Sequence, residues 1–257
     1  MTTVSDIHYG EDKMQVLDIH LPEEDATSVF VYFHGGCLTG GDKTNQARFF
    51  EYMTSHGVAV VSANYRLYPA AAYPKFIEDA AAAVFWVTQN TQCLSNAQKI
   101  YVGGSSAGAY LSMMLCFDSR WLSKYGLSPT SIDGFVHDSG QPTTHYKVLE
   151  ERCIDSRRVI VDDSSPLYYV GADPKYPPML LIVADDDMKN RYEQIMLLRS
   201  TLTHFGHNSE LCVMHGKHCA HNNALDENGD SIFGKAVLEF ISNNDTAEAK
   251  KQKEKSI

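Results

Sequence analysis

Five short runs of β-branched, aromatic and small residues, almost free of polar interruption, constrain this chain more than any other feature. They occupy residues 29–33, 58–62, 100–102, 134–136 and 179–183. A strand with one face in water alternates apolar and polar residues, whereas uninterrupted runs suit strands covered on both faces. Between the runs lie stretches of helical period. Ile195, Leu198, Leu202 and Phe205 share one helical face, as do Phe233, Val237, Phe240 and Ile241. Gly206 stands where a helix-terminating glycine belongs. Such alternation predicts a mostly parallel sheet with helices on both sides. Residues 15–21 alternate instead, as a half-buried strand does. No helix separates the first few strands, so antiparallel pairing is expected there.

The chain has 257 residues, with neither an internal repeat nor a Gly/Ser/Pro linker, and 1–244 is expected to form one domain. Residues 245–257, rich in Lys, Glu and Gln, read as a disordered tail. With 22 basic and 32 acidic side chains the formal net charge is −10. A chain so acidic repels phosphate backbones and anionic lipid, which argues against nucleic-acid and membrane partners. The first ten residues lack a basic-then-apolar leader, and no run approaches the roughly 18 apolar residues of a membrane span. Cys37, Cys93, Cys116, Cys153, Cys212 and Cys219 therefore read as reduced, buried thiols, and a cytoplasmic location is expected.

Chemistry concentrates first at Gly104-Ser105-Ser106-Ala107-Gly108, a G-x-S-x-G pattern between the run at 100–102 and an apolar helical stretch at 109–117. A nucleophile on a sharp strand-to-helix turn forces close backbone approach, so small residues must flank it. The glycines have the right offsets for Ser106 and not for Ser105. The second concentration is His34-Gly35-Gly36-Cys37, directly after the run at 29–33.

At this point the sequence resembles the α/β-hydrolase esterases of the hormone-sensitive-lipase and feruloyl-esterase-like (BD-FAE) type. Asn64-Tyr65-Arg66-Leu67 with Pro69, Tyr73-Pro74, Asp79, Ser165-Pro166-Leu167 and Pro177-Pro178 extend the resemblance in the family's order. The resemblance implies an α/β-hydrolase fold, a serine nucleophile and no cofactor. It also implies an oxyanion hole made by the backbone N–H groups of Gly36, Cys37 and Ala107. Cys37 and Leu38 replace the family's frequent glycine and aromatic. A backbone N–H is available from either, so the hole is expected to survive.

The acid should follow a strand after the nucleophile, in the order Ser, Asp, His. The run at 179–183 leads into Ala184-Asp185-Asp186-Asp187, and the family's spacing after Pro177-Pro178 selects Asp187. Asp185 and Asp186 then read as solvated charges or a cap. For the base, the segment at 210–214 runs into His215-Gly216-Lys217-His218-Cys219-Ala220-His221. His218, 31 residues beyond Asp187, is preferred, with His215 and His221 as alternatives. Three histidines and a cysteine so close together also suit a zinc site, but a base is required here and no metal is expected. His137-Asp138-Ser139 reads as a hydrogen-bonded loop near the site, since triad members come from separate loops.

The expectation is therefore a serine carboxylesterase acting on small esters, with a short cap at about 141–163. An amide-directed acyl hydrolase and a non-catalytic homologue on the same fold are the alternatives.

Overall fold

The computed structural model describes residues 1–172 and 175–254, the side chains of 247–254 excepted. Eight strands form one sheet in the order β1-β2-β4-β3-β5-β6-β7-β8. They are β1 (Thr2–His8), β2 (Val16–Leu21), β3 (Ser28–Phe33), β4 (Val58–Ala63), β5 (Lys99–Ser105), β6 (Gly134–Asp138), β7 (Met179–Asp186) and β8 (Glu210–Lys217). β1 and β2 pair antiparallel, β2 pairs antiparallel with β4, and every other pairing is parallel. The apolar runs are thus the sheet's interior strands. β1, which the sequence does not announce, is an almost wholly exposed edge strand carrying no hydrophobic pattern.

Helices cover both faces. Along β3, Val29, Val31 and Phe33 enter one core with residues of α2 (Lys75–Gln89), α3 (Ala107–Phe117) and α6 (Arg191–His204). Phe30 and Tyr32 enter the opposite core with residues of α1 (Ala47–Ser55) and α7 (Ile232–Glu254). This is the period-two alternation of a strand, and because both faces are apolar it reads as continuous hydrophobicity. Phe233, Val237, Phe240 and Ile241 are buried as expected. Phe205 is exposed: α6 ends at His204, and Phe205 caps it off the buried face.

Two expectations need correction. Helix α7 continues through 245–254, into the segment read as a disordered tail, and Asp245 is anchored by Lys99 Nζ at 2.7 Å and the Tyr101 hydroxyl at 3.0 Å. Residues 255–257 lie outside the described part. All six thiols are free, but only Cys116 is buried; Cys37, Cys93 and Cys153 are exposed, because they sit on loops and a 3-10 turn rather than in the apolar runs. Among the described residues no helix is long and apolar enough to cross a membrane.

Parallel pairing puts the carboxyl ends of β3, β4, β5, β6, β7 and β8 on one edge of the sheet. Six loops gather there, where ligands of open parallel sheets bind. The connection from β6 to β7 is the long one, and it holds α5 (Tyr146–Glu151), within the segment expected to act as a cap. The short helix α4 (Arg120–Ser123) packs against α2, and its Arg120 bonds the Tyr169 hydroxyl of that connection.

Candidate active site

Ser106 sits between β5 and α3 with φ 56° and ψ −113°, a left-handed conformation that costs a non-glycine residue of order 1–3 kcal/mol. Packing enforces it. A Cβ on Gly108 would lie 1.9 Å from the Phe33 carbonyl oxygen, and one on Gly104 would lie 2.5 Å from the same atom. The two glycines let the turn press against the end of β3, and the Ser106 N–H donates to the Asp138 carbonyl at 2.7 Å. Ser105 points away: it is buried and accepts from the Tyr32 hydroxyl at 3.1 Å on the sheet's other face.

Ser106 Oγ lies 2.8 Å from His218 Nε2, and His218 Nδ1 lies 2.5 Å from Asp187 Oδ1. A carboxylate only accepts, so Nδ1 carries the proton and Nε2 is left to accept from the serine. Asp187 is further held by the Ser139 hydroxyl at 2.7 Å and the Met188 N–H at 2.6 Å. Burial raises the Asp187 pKa, but the bond and charge of His218, with the Ser139 and Met188 donors, outweigh it and hold the carboxyl down at about 2. Asp187 is therefore an anion at neutral pH, as a group stabilising an imidazolium must be.

The rival histidines have other partners. β8 continues to Lys217, so His215 lies within the strand with an exposed ring, pairing with Asp185 at 2.8 Å. Lys217 takes Asp186. β7 likewise runs to Asp186, with an irregularity in its pairing to β8 between Ala184 and Asp186. Asp185 and Asp186 are thus exposed strand-end charges, and Asp187 is the first residue beyond the strand. His221, in a 3-10 turn, is buried and bonds Asp138 Oδ1 at 2.8 Å. Burial lowers its pKa, yet the Asp138 carboxylate more than compensates and the net shift is upward. Cys219 Sγ is 3.7 Å from His218 Nε2. Burial, then the Asp138 and Asp187 carboxylates, push this thiol well above its ordinary range, so it stays protonated and is a poor nucleophile. The His/Cys cluster divides among these separate partners, and among the described residues no three His, Cys, Asp or Glu side chains converge as metal ligands.

The loop after β3 faces the elbow. A Cβ on Gly35 would be 3.3 Å from Ser106 Cβ, which measures how closely the loop approaches. Cys37 and Leu38 adopt φ near 60°, and the N–H groups of Thr39 and Gly40 both bond the Gly36 carbonyl. The N–H groups of Gly36 and Cys37 donate to no backbone carbonyl outside helices and strands among the described residues. Ala107 is the first residue of α3, where an N–H has no intrahelical acceptor. The three donors expected to form an oxyanion hole are thus all free for a ligand. The Asn64-Tyr65-Arg66 motif braces this loop. Asn64 Oδ1 accepts from the Lys43 N–H, Tyr65 stacks on His34 and donates to its carbonyl, and Arg66 forms a fork with buried Asp79 on α2.

Sequence reasoning missed Arg191 and Tyr32, which carry no local motif. Arg191 Nη1 donates to the Ser139 carbonyl, directly behind the residue that holds Asp187. Ser139 was legible only as part of a bonded loop. The cleft over Ser106 and His218 has a volume of about 430 Å³ and is walled mainly by glycines and by Asn45, Gln46, Asn222 and Asn223, with Tyr32, Met188 and Cys219.

The family model BD-FAE matches residues 17–202. Two curated proteins of Mycobacterium tuberculosis are similar. Esterase LipI is 35% identical over 38% of this chain, and carboxylic ester hydrolase LipN 34% identical over 42% of it. The matches span only 32% and 29% of those relatives' own lengths. Among solved structures, a truncated carbohydrate esterase from gut microbiota superposes with a TM-score of 0.77 at 20% identity, covering 96% of this chain and 97% of that one. Likeness at that identity speaks for the fold, which is the α/β-hydrolase fold.

Proposed function

Because this chain belongs to the BD-FAE family, we propose that it is a serine carboxylesterase, hydrolysing small, short-chain esters through an acyl-enzyme. The observation that carries this reading is the unbroken hydrogen-bond chain from Ser106 through His218 to Asp187, opening on a cleft beside three free backbone donors.

Ser106 Oγ attacks the ester carbonyl while His218 Nε2 takes its proton, and Asp187 keeps the imidazole in the Nδ1–H tautomer and stabilises its cation. The carbonyl oxygen becomes an oxyanion, held by the N–H groups of Gly36, Cys37 and Ala107. The N-terminus of α3 adds its positive dipole end. His218 then protonates the departing alkoxide. In the second half a water takes the alcohol's place, His218 deprotonates it, and the acyl group leaves Ser106 as an acid. No step calls for a cofactor or a metal.

Short acyl chains follow from the cleft walls. Each added methylene gains about 0.8 kcal/mol only if an apolar channel receives it, and amides and glycines interrupt the apolar contributions of Tyr32, Met188 and Cys219 in these walls. The cytoplasm is the compartment proposed, because six free thiols suit a reducing environment. The acidic balance argues against a nucleic-acid or anionic-membrane partner.

The test is kcat/KM for p-nitrophenyl esters from acetate to dodecanoate, with sugar acetates and matched amides. The reading predicts a maximum at about two to four acyl carbons and slower amide cleavage. Rates rising through the long chains, or amides cleaved faster than esters, would overturn it.

A further inference from the structure

A second cavity, of about 400 Å³, adjoins the cleft over Ser106 and shares Met188 with it. The segment between β6 and β7 supplies Tyr146, Arg157 and Arg158 to its wall, the turn before α6 supplies Lys189, and the first residue of α6 is Arg191. Four of its side chains are basic, and among the described residues no Asp or Glu lines it. In a chain with 22 basic against 32 acidic side chains, that is a local reversal of sign beside the reaction centre.

Arg191 makes the reversal more than a surface accident. It is only 5% exposed, and its guanidinium bonds go to neutral acceptors, the Ser139 carbonyl and Gln141 Oε1, the latter at a long 3.4 Å. Buried charges are ordinarily paired, because an unpaired one forfeits its hydration. Among the described residues no carboxylate forms an ion pair with Arg191, and Asp187 pairs with His218 instead. On the rim, Asp155 takes Arg157 at 2.6 Å, while Arg158 and Lys189 are exposed and make no ion pair among the described residues. One buried guanidinium and two unpaired rim cations thus line one cavity, an arrangement suited to a planar anion.

We infer that this cavity is an anion subsite, and that the preferred substrates are esters bearing a carboxylate. The inference rests on the esterase reading above. The carboxylate could sit on the acyl or on the alcohol side, and matched ester pairs distinguish the two. Ethyl hydrogen glutarate against ethyl pentanoate places the charge on the acyl side; 4-acetoxybenzoate against 4-methylphenyl acetate places it on the alcohol side.

The experiment measures kcat/KM for both pairs by pH-stat, with the wild type and with the Arg158→Gln/Lys189→Gln double variant. Both changed residues are exposed, and folding is checked by Tm. The expected result is a charged-over-neutral ratio of about tenfold or more in one pair, falling several-fold in the double variant and with rising ionic strength. A ratio near or below one in both pairs, or a preference that survives the double substitution, would overturn the inference while leaving the esterase reading intact. If the wild type cleaves none of the four esters, the esterase reading fails instead. Calorimetric binding of ethyl hydrogen glutarate and 4-acetoxybenzoate to Ser106→Ala, with and without the double substitution, then decides the subsite. Binding that the substitution abolishes supports it, and absence of binding overturns it.

Discussion

Gly108→Ala tests whether the elbow and the oxyanion loop form one mechanical unit. The new Cβ would lie 1.9 Å from the Phe33 carbonyl oxygen, 2.5 Å from its carbon and 2.8 Å from the His34 carbonyl oxygen, all backbone atoms. Carbon–oxygen contacts begin near ~3.3 Å, so the end of β3 or the start of α3 must retreat by about 1.4 Å. His34 leads through Gly35 into Gly36 and Cys37, and α3 begins with Ala107, so the displacement falls on the proposed oxyanion donors whichever side gives way. Misplacing reacting groups by about 1 Å costs on the order of 100-fold, or about 2.7 kcal/mol of transition-state stabilisation. Overpacking should cost about 1–3 kcal/mol of stability as well. The control is Gly40→Ala in the same loop, where a Cβ meets nothing within 4 Å. Steady-state kinetics on p-nitrophenyl acetate, with Tm for each protein, should give a folded but slow Gly108→Ala and a Gly40→Ala close to wild type. A folded Gly108→Ala within about threefold of wild-type kcat/KM would refute the coupling, since a displacement of this size should cost ~100-fold.

The three histidines should separate by readout. His218→Ala should lose several orders of magnitude in kcat, and some stability as well, because buried Asp187 loses its imidazole partner. His221→Ala should lose about 3–5 kcal/mol of stability by stranding buried Asp138, and His215→Ala, an exposed pair, should change little of either. Unfolding free energies and initial rates on the three variants check this ordering, and an inactive His215→Ala with an active His218→Ala would reverse it. The Asp187 carboxyl is held near about 2 in the fold and returns to about 4 when unfolded. The folded state thus gains stability from it above pH ~4 and loses that contribution as pH falls toward ~2. In Asp187→Asn that part of the acid loss should vanish, while kcat falls by about 10⁴ because the amide favours the wrong imidazole tautomer; an unaltered acid limb would count against the assignment.

The elbow and its loop were legible in the sequence because each depends on local necessity: glycines where β3, β5 and α3 touch, and small residues around Ser106. The interior strands were legible because burial on both faces leaves no polar positions. The base was not fixed by local rules. Spacing alone left His215, His218 and His221 open, and what separates them is non-local: β8 runs on to Lys217, Asp185 captures His215, and Asp138 captures His221. β1 escaped notice because an exposed edge strand needs no hydrophobic pattern. The extension of α7 was hidden by a polar composition that reads as a tail, whereas Asp245 is tied to Lys99 and Tyr101 across the fold. Arg191 gave no signal, since its significance lies in the Ser139 carbonyl and the cavity it meets rather than in its neighbours along the chain.

The most direct test of the central claim is to treat the protein with diethyl p-nitrophenyl phosphate and locate the adduct by intact mass and peptide mapping. A nucleophilic serine displaces p-nitrophenolate and keeps the diethylphosphoryl group, which mimics the tetrahedral intermediate. One adduct per chain is expected, on Ser106, with loss of esterase activity in proportion to labelling. Ser106→Ala should carry no adduct and Ser105→Ala a normal one. An adduct on Ser105 or Cys219, or full activity in a protein fully labelled at Ser106, would contradict that claim.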